Sequence, residues 1–128
     1  GLDEDWFGTS DSKGTFSLDG APPKVANNVE LIVGKVQETL PVFLKENSEK
    51  KINFVHLDLD TYSVTKAVLQ NIKPYLNKGC VLLFDELYNY SGWRVGEYRA
   101  LMEIFEEKEF KYMAFQTRSI VAIKYLGG

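Results

Sequence analysis

Asp58, Asp60, Asp85 and Glu86 are the residues of this chain whose type and placement could do chemistry together. The first two close the apolar run Phe54-Val-His-Leu-Asp-Leu-Asp60, and the other two close Cys80-Val-Leu-Leu-Phe-Asp-Glu86. Each run is rich in β-formers and leads toward a helical pattern, as neighbouring parallel strands do when their polar ends open into a crevice. If the first strand continues through both of its acids, Asp58 and Asp60 share a face and Leu59 points the other way. Three or four carboxylates at adjacent strand ends suit a hard divalent cation such as Mg²⁺, whereas a chain with one Cys and one His offers little to zinc. Clustered carboxylates also raise one another's pKa until a cation neutralises them. The same residues read equally as helix caps and solvated loop acids, with Asp60 capping the helix that follows Thr61. His56 is expected to be a core or half-buried group bonded to a backbone carbonyl. Tyr88, Tyr90 and Trp93 could cover a ligand or pack their loop onto its own sheet.

The elements that must hold these groups follow from periodicity. Residues 1–28 are polar and punctuated by glycine and proline, so they read as an irregular arm with at most one helical turn near Lys24–Asn27. Residues 29–128 read as an α/β domain. Val29–Val33 is a short strand candidate, and the turn at Gly34-Lys-Val-Gln37 leads into a helix capped by Thr39 and running to about Asn47. Pro41 is tolerated early in that helix, where its missing N–H has no partner to lose. Ile52–Leu57 is a central strand. From Tyr62 to about Leu76, Val64, Val68, Leu69 and Ile72 fall on one helical face, with Pro74 ending or bending the helix. Val81–Phe84 is the next strand. Val95, Tyr98, Leu101, Met102 and Phe105 form a further helical stripe, and Phe110–Phe115 and Ile120–Leu126 are strands whose short junction forces them antiparallel. The expected architecture is a three-layer α/β fold: a mostly parallel sheet with a C-terminal antiparallel hairpin.

Composition narrows the classes. At 128 residues and 45% apolar content the chain can bury a core, and its net charge of -3 supplies no basic stripe for nucleic acid. Cys80 sits inside an apolar run and reads as a buried thiol, which fits a reducing, cytoplasmic setting. No apolar run approaches the ~20 residues of a membrane-spanning helix.

Three motifs in order, Val29-Glu-Leu-Ile-Val-Gly-Lys-Val-Gln-Glu-Thr-Leu-Pro41, Phe54-Val-His-Leu-Asp-Leu-Asp-Thr-Tyr-Ser-Val-Thr-Lys66 and Gly79-Cys-Val-Leu-Leu-Phe-Asp-Glu86, resemble the macrocin-type O-methyltransferases. Asp5-Trp6 and Lys13-Gly-Thr-Phe-Ser-Leu-Asp-Gly20 resemble the linker that follows the second strand of that family. The resemblance implies a partial Rossmann-like, class I fold that uses S-adenosylmethionine and Mg²⁺ to methylate a sugar-like hydroxyl. It implies that Asp58 is both metal ligand and catalytic base, that Asp85 and Glu86 are metal ligands, and that Asp60 is a further candidate. Glu86 stands where the family usually has Asp. Val36, Gln37, Asp58 and Leu59 are implied to line the cofactor. The family sheet order, 3-2-1-4-5-7-6, begins with a strand and glycine-rich loop that these residues do not contain. A truncated or inactive form that binds cofactor weakly or not at all is therefore expected, with self-association through the open sheet edge. The rival expectation is a non-catalytic α/β domain that binds a metal or nucleotide-like ligand or serves assembly.

Overall fold

The computed structural model describes residues 1–17 and 20–128. Leu18 and Asp19, which belong to the arm and to the Lys13–Gly20 motif, lie outside the described residues. The regular elements are α1 (Val36–Glu46), β1 (Ile52–Leu57), α2 (Tyr62–Ile72), β2 (Leu76–Phe84), α3 (Glu97–Ile104), β3 (Phe110–Phe115) and β4 (Val121–Tyr125), with single 3₁₀ turns at Lys73–Tyr75, Trp93–Val95 and Glu107–Glu109.

The four strands lie in the order β1-β2-β4-β3. This is the 4-5-7-6 portion of the sheet that the resemblance implies. β1 and β2 are parallel, and β4 runs antiparallel to both β2 and β3. Along one face, Leu57, Phe84 and Val121 stand in register, as do Val55, Leu82 and Ile123. These rows pack in one core with Leu44 of α1, Val68, Leu69 and Ile72 of α2, and Ala100 and Leu101 of α3. The opposite face carries Phe54, His56, Val81, Leu83 and Lys124, all half-buried or exposed. The helices therefore cover one face, making two layers among the described residues where three were expected, and the face they leave bare is largely apolar through Phe54, Val81 and Leu83. Lys66 and Arg99 both reach Glu103, at 2.7 and 2.8 Å, which joins α2 to α3 at the surface.

Val29–Val33, expected as a strand, is irregular and exposed; Val33 is 71% accessible. Its β-forming residues have no neighbouring strand, and β-propensity acts through packing and pairing. No helical turn forms at Lys24–Asn27. Helix α1 starts at Val36, earlier than a Thr39 cap would place it; Thr39 Oγ1 instead donates to the Lys35 carbonyl at 3.2 Å. Strand β2 starts at Leu76, earlier than the expected Val81, and runs through Asn77–Gly79. In α3 the buried face is Glu97, Ala100 and Leu101, whereas Val95 and Met102 of the expected stripe are about 40% exposed. No helix among the described residues is long and apolar enough to cross a membrane.

The beginning of the arm is folded onto the domain. Leu2 is buried, its N–H donating to the Thr15 carbonyl at 3.0 Å and its carbonyl accepting from Gly14 at 2.9 Å. Glu4 Oε1 accepts both the amide and the hydroxyl of Ser63, at 3.0 and 2.6 Å. It thereby supplies the N-terminal cap that the Thr61 side chain does not provide for α2. Gly8 meets Gly92 so closely that a Cβ on Gly8 would lie 2.3 Å from the Gly92 nitrogen, which fixes the arm against the loop after β2.

Candidate functional site: an acidic cluster at the strand ends

The parallel ladder carries both acidic loops to one end of the sheet. Beyond the paired residues of β1 and β2, the Asp85 N–H still donates to the Leu57 carbonyl at 3.0 Å, so the loops leave side by side. The first then turns sharply. The Thr61 N–H reaches the Leu59 carbonyl at 2.7 Å, and Asp60, at the centre of that turn, has φ 65°. A left-handed non-glycine residue in a three-residue turn is strained, and such strain persists only where its surroundings over-determine it. The consequence is that Asp60 faces the same point as Asp58: carboxylate oxygens of Asp58, Asp60 and Glu86 all lie within 4.8 Å of one another. Asp60 does not act as the cap of α2, whose N-cap position is Thr61.

Asp85 stands outside this trio, although its carboxyl still hydrogen-bonds with that of Glu86. Its Oδ1 lies 3.2 Å from His56 Nε2 on the exposed face of the sheet. His56 is therefore neither a core residue nor bonded to a backbone carbonyl; its side chain is 46% accessible. Its register opposite Leu83 explains the difference, because both residues point to the face that the helices leave bare.

The electrostatics follow from burial and crowding. Burial first, then the hydrogen bond with Asp85 and the charges of Glu97, Asp60 and Asp85, push the Glu86 carboxyl up to about 10. Burial also raises Asp60, reinforced by the charges of Asp58 and Asp85 and opposed by a hydrogen bond with Glu86. Glu86 Oε2 is buried without a hydrogen-bond partner among the described residues. One buried carboxyl oxygen without a partner, beside two other carboxylates, forms a donor set made only of oxygens. The residues fit a hard divalent cation.

The cluster opens into a cleft of about 690 Å³. Its walls include Val36, Gln37, Asp58 and Leu59, the four residues expected to face the cofactor, together with Asp3 and Trp6 of the arm. Gln37 Nε2 donates to Asp3 Oδ2 at 3.0 Å, while its Oε1 is buried without a partner among the described residues. A second cavity of about 310 Å³, between the arm and the start of α2, shares Asp60 and Trp6 with the first. The loop aromatics pack inward: Tyr88 OH donates to the Gln116 carbonyl at 2.6 Å, Tyr90 meets the Trp6 ring edge-on at 5.7 Å, and Trp93 meets Tyr98 at 4.8 Å.

One residue of the site escaped sequence reasoning. Glu97, the first residue of α3, is completely buried, and its Oε2 accepts the Glu86 N–H at 3.1 Å. Burial is the main reason its pKa rises to about 8. The available signal was its spacing, three and four residues before Ala100 and Leu101, which puts a carboxylate on the apolar face.

Residues 5–87 match a family model described as a methyltransferase domain. Among solved structures, the apo form of CalS11, described as a TDP-rhamnose 3'-O-methyltransferase of calicheamicin biosynthesis, is 36% identical with a TM-score of 0.64, over 76% of this chain and 40% of that one. A second structure, described as CalS11, calicheamicin methyltransferase, is 37% identical with a TM-score of 0.63, over 74% of this chain and 36% of that one. The chain thus spans well under half the length of either. No curated protein matches it.

Proposed function

Because this chain belongs to the methyltransferase-domain family, as a class I S-adenosylmethionine-dependent domain related to sugar O-methyltransferases, we propose that it provides the cation-binding and acceptor-facing side of an O-methyltransferase for a sugar hydroxyl. The observation that carries this reading is the convergence of Asp58, Asp60 and Glu86 at the mouth of the cleft that Val36 and Gln37 line.

Asp58, Asp60 and Glu86 would hold a Mg²⁺ ion, and Asp85 would join them on release from His56. When bound, the ion would lower the pKa of an acceptor hydroxyl and fix its orientation. Asp58, the exposed member of the cluster, would take the hydroxyl proton, while bound S-adenosylmethionine would supply the methyl group and its sulfur would leave as the neutral thioether. Val36, Leu59 and the Gln37 amide would border the adenosyl part of the cofactor and align methyl and oxygen, the arrangement that supplies much of the rate in a displacement between two bound reactants. A deoxysugar nucleotide of the kind named for CalS11 is the acceptor class that this resemblance supports.

Calorimetric titration with TDP-rhamnose tests the reading. Binding that saturates with Mg²⁺ and disappears with EDTA or in Asp58→Asn is expected. Equal binding with and without the ion, or none once the ion is bound, would overturn it. For the cofactor, no strand followed by a glycine-rich turn precedes α1 among the described residues. S-adenosylhomocysteine should therefore give no saturable heat at millimolar concentration with this chain alone, and micromolar binding would contradict that expectation.

A further inference from the structure

Glu97 combines three properties that a structural carboxylate seldom has together. It is completely inaccessible, it has no cationic partner, and one of its oxygens, Oε1, has no hydrogen-bond partner among the described residues. Its other oxygen accepts the amide N–H of Glu86, the deepest member of the acidic cluster. The Leu59 amide, in the turn after β1, also favours the charged form of the Glu97 carboxylate. One side chain on α3 thus addresses the loops that leave both parallel strands. Its place in the first turn of the helix adds a favourable dipole. The close contact at Gly96, where a Cβ would stand 2.3 Å from Tyr90 Oη, seats the start of α3 against the loop that carries Glu86.

We propose that Glu97 is the positioning residue of the acidic cluster: its carboxylate tethers the Glu86 backbone to α3 and so sets the spacing at which Asp58, Asp60 and Glu86 converge. The inference rests on the cation reading for its consequence, but the tether itself is a property of the metal-free chain. A carboxylate contributes two separable things here, reach and charge. Reach forms the hydrogen bond to the Glu86 N–H; charge, carried only when the carboxyl gives up its proton, would add another negative group behind the cluster. Positioning requires reach. Outer partners that orient ligands in this way change metal affinity by about 10–100-fold when removed.

Two conservative variants of the full 128-residue chain separate these contributions. Glu97→Asp keeps the charge but is one methylene too short; Glu97→Gln keeps the reach and a carbonyl acceptor without the charge. The probe is Mn²⁺, followed by loss of its free paramagnetic resonance signal, alongside hydrogen exchange of the Glu86 amide in the metal-free protein. Glu97→Asp is expected to lose about tenfold or more in Mn²⁺ affinity and to speed exchange at Glu86. Glu97→Gln is expected to keep both close to the parent. Parent-like behaviour of Glu97→Asp, or an equal loss in Glu97→Gln, would overturn the proposal. If the parent itself binds no Mn²⁺, the cation reading fails, and the tether is then judged on Glu86 exchange alone: unchanged exchange in Glu97→Asp refutes it.

Discussion

At the scale of single residues, the acidic cluster makes a prediction whose sign can be worked out. Glu97 and Glu86 have folded-state pKa values of about 8 and about 10, above those of an ordinary carboxyl. Each binds its proton more tightly in the folded than in the unfolded chain, so the stability these two groups contribute is fully present below the usual carboxylate range. It declines as pH rises from the usual carboxylate range through those two values. The thermal midpoint of EDTA-treated protein should therefore fall between about pH 5 and about pH 9. Added Mg²⁺ should offset the fall at the alkaline end, because cation binding displaces the same protons. A midpoint that rises over this range would contradict the assignment. Cys80, buried in β2 and with its thiol pushed up by burial, should remain unreactive toward alkylating reagents in the folded protein.

Among elements, the link between the end of α2 and the start of β3 is the clearest target. Lys73 Nζ lies 2.7 Å from Glu109 Oε2 and donates to the Ile104 carbonyl at 2.8 Å, while Glu109 also accepts the Glu106 N–H. Glu109→Ala removes the acceptor of the Glu106 N–H and leaves Lys73 only the Ile104 carbonyl, and should cost about 1–3 kcal/mol in denaturant unfolding. Leu82→Ala, at the centre of β2 with no exposed surface, should cost about 2–5 kcal/mol. These elements were also the legible ones. β1, α2, β2 and the terminal hairpin could be read because burial on one face imposes a period of two or 3.6 on the apolar residues. Val29–Val33 has the composition of a strand, yet pairing depends on a neighbour that composition cannot supply. The stripe expected for α3 includes the buried Leu101 and Phe105 but not Glu97, which looks like a surface charge until the structure shows it beneath the cluster. The strand-end carboxylates were legible as a group, but the diversion of Asp85 to His56 depends on cross-strand register, which no single run of sequence records.

For the molecule as a whole, the four-stranded sheet has two edge strands among the described residues, β1 and β3. Among the described residues β1 pairs only with β2, and Phe54 on it is 60% exposed. Unpaired strand edges template association. Sedimentation should show concentration-dependent self-association that Phe54→Lys reduces; a monomer at every accessible concentration would argue against it. The arm works in the other direction, closing the site by capping α2 through Glu4 and walling the cleft with Asp3 and Trp6. The parallel strand ends, the strained turn at Asp60 and the buried Glu97 all serve a single arrangement of three carboxylates. Anomalous X-ray scattering from crystals soaked in Mn²⁺ tests that arrangement most directly. One peak coordinated by Asp58, Asp60 and Glu86 is the expected result. A peak between Asp85 and His56, or no peak at the strand ends, would contradict it.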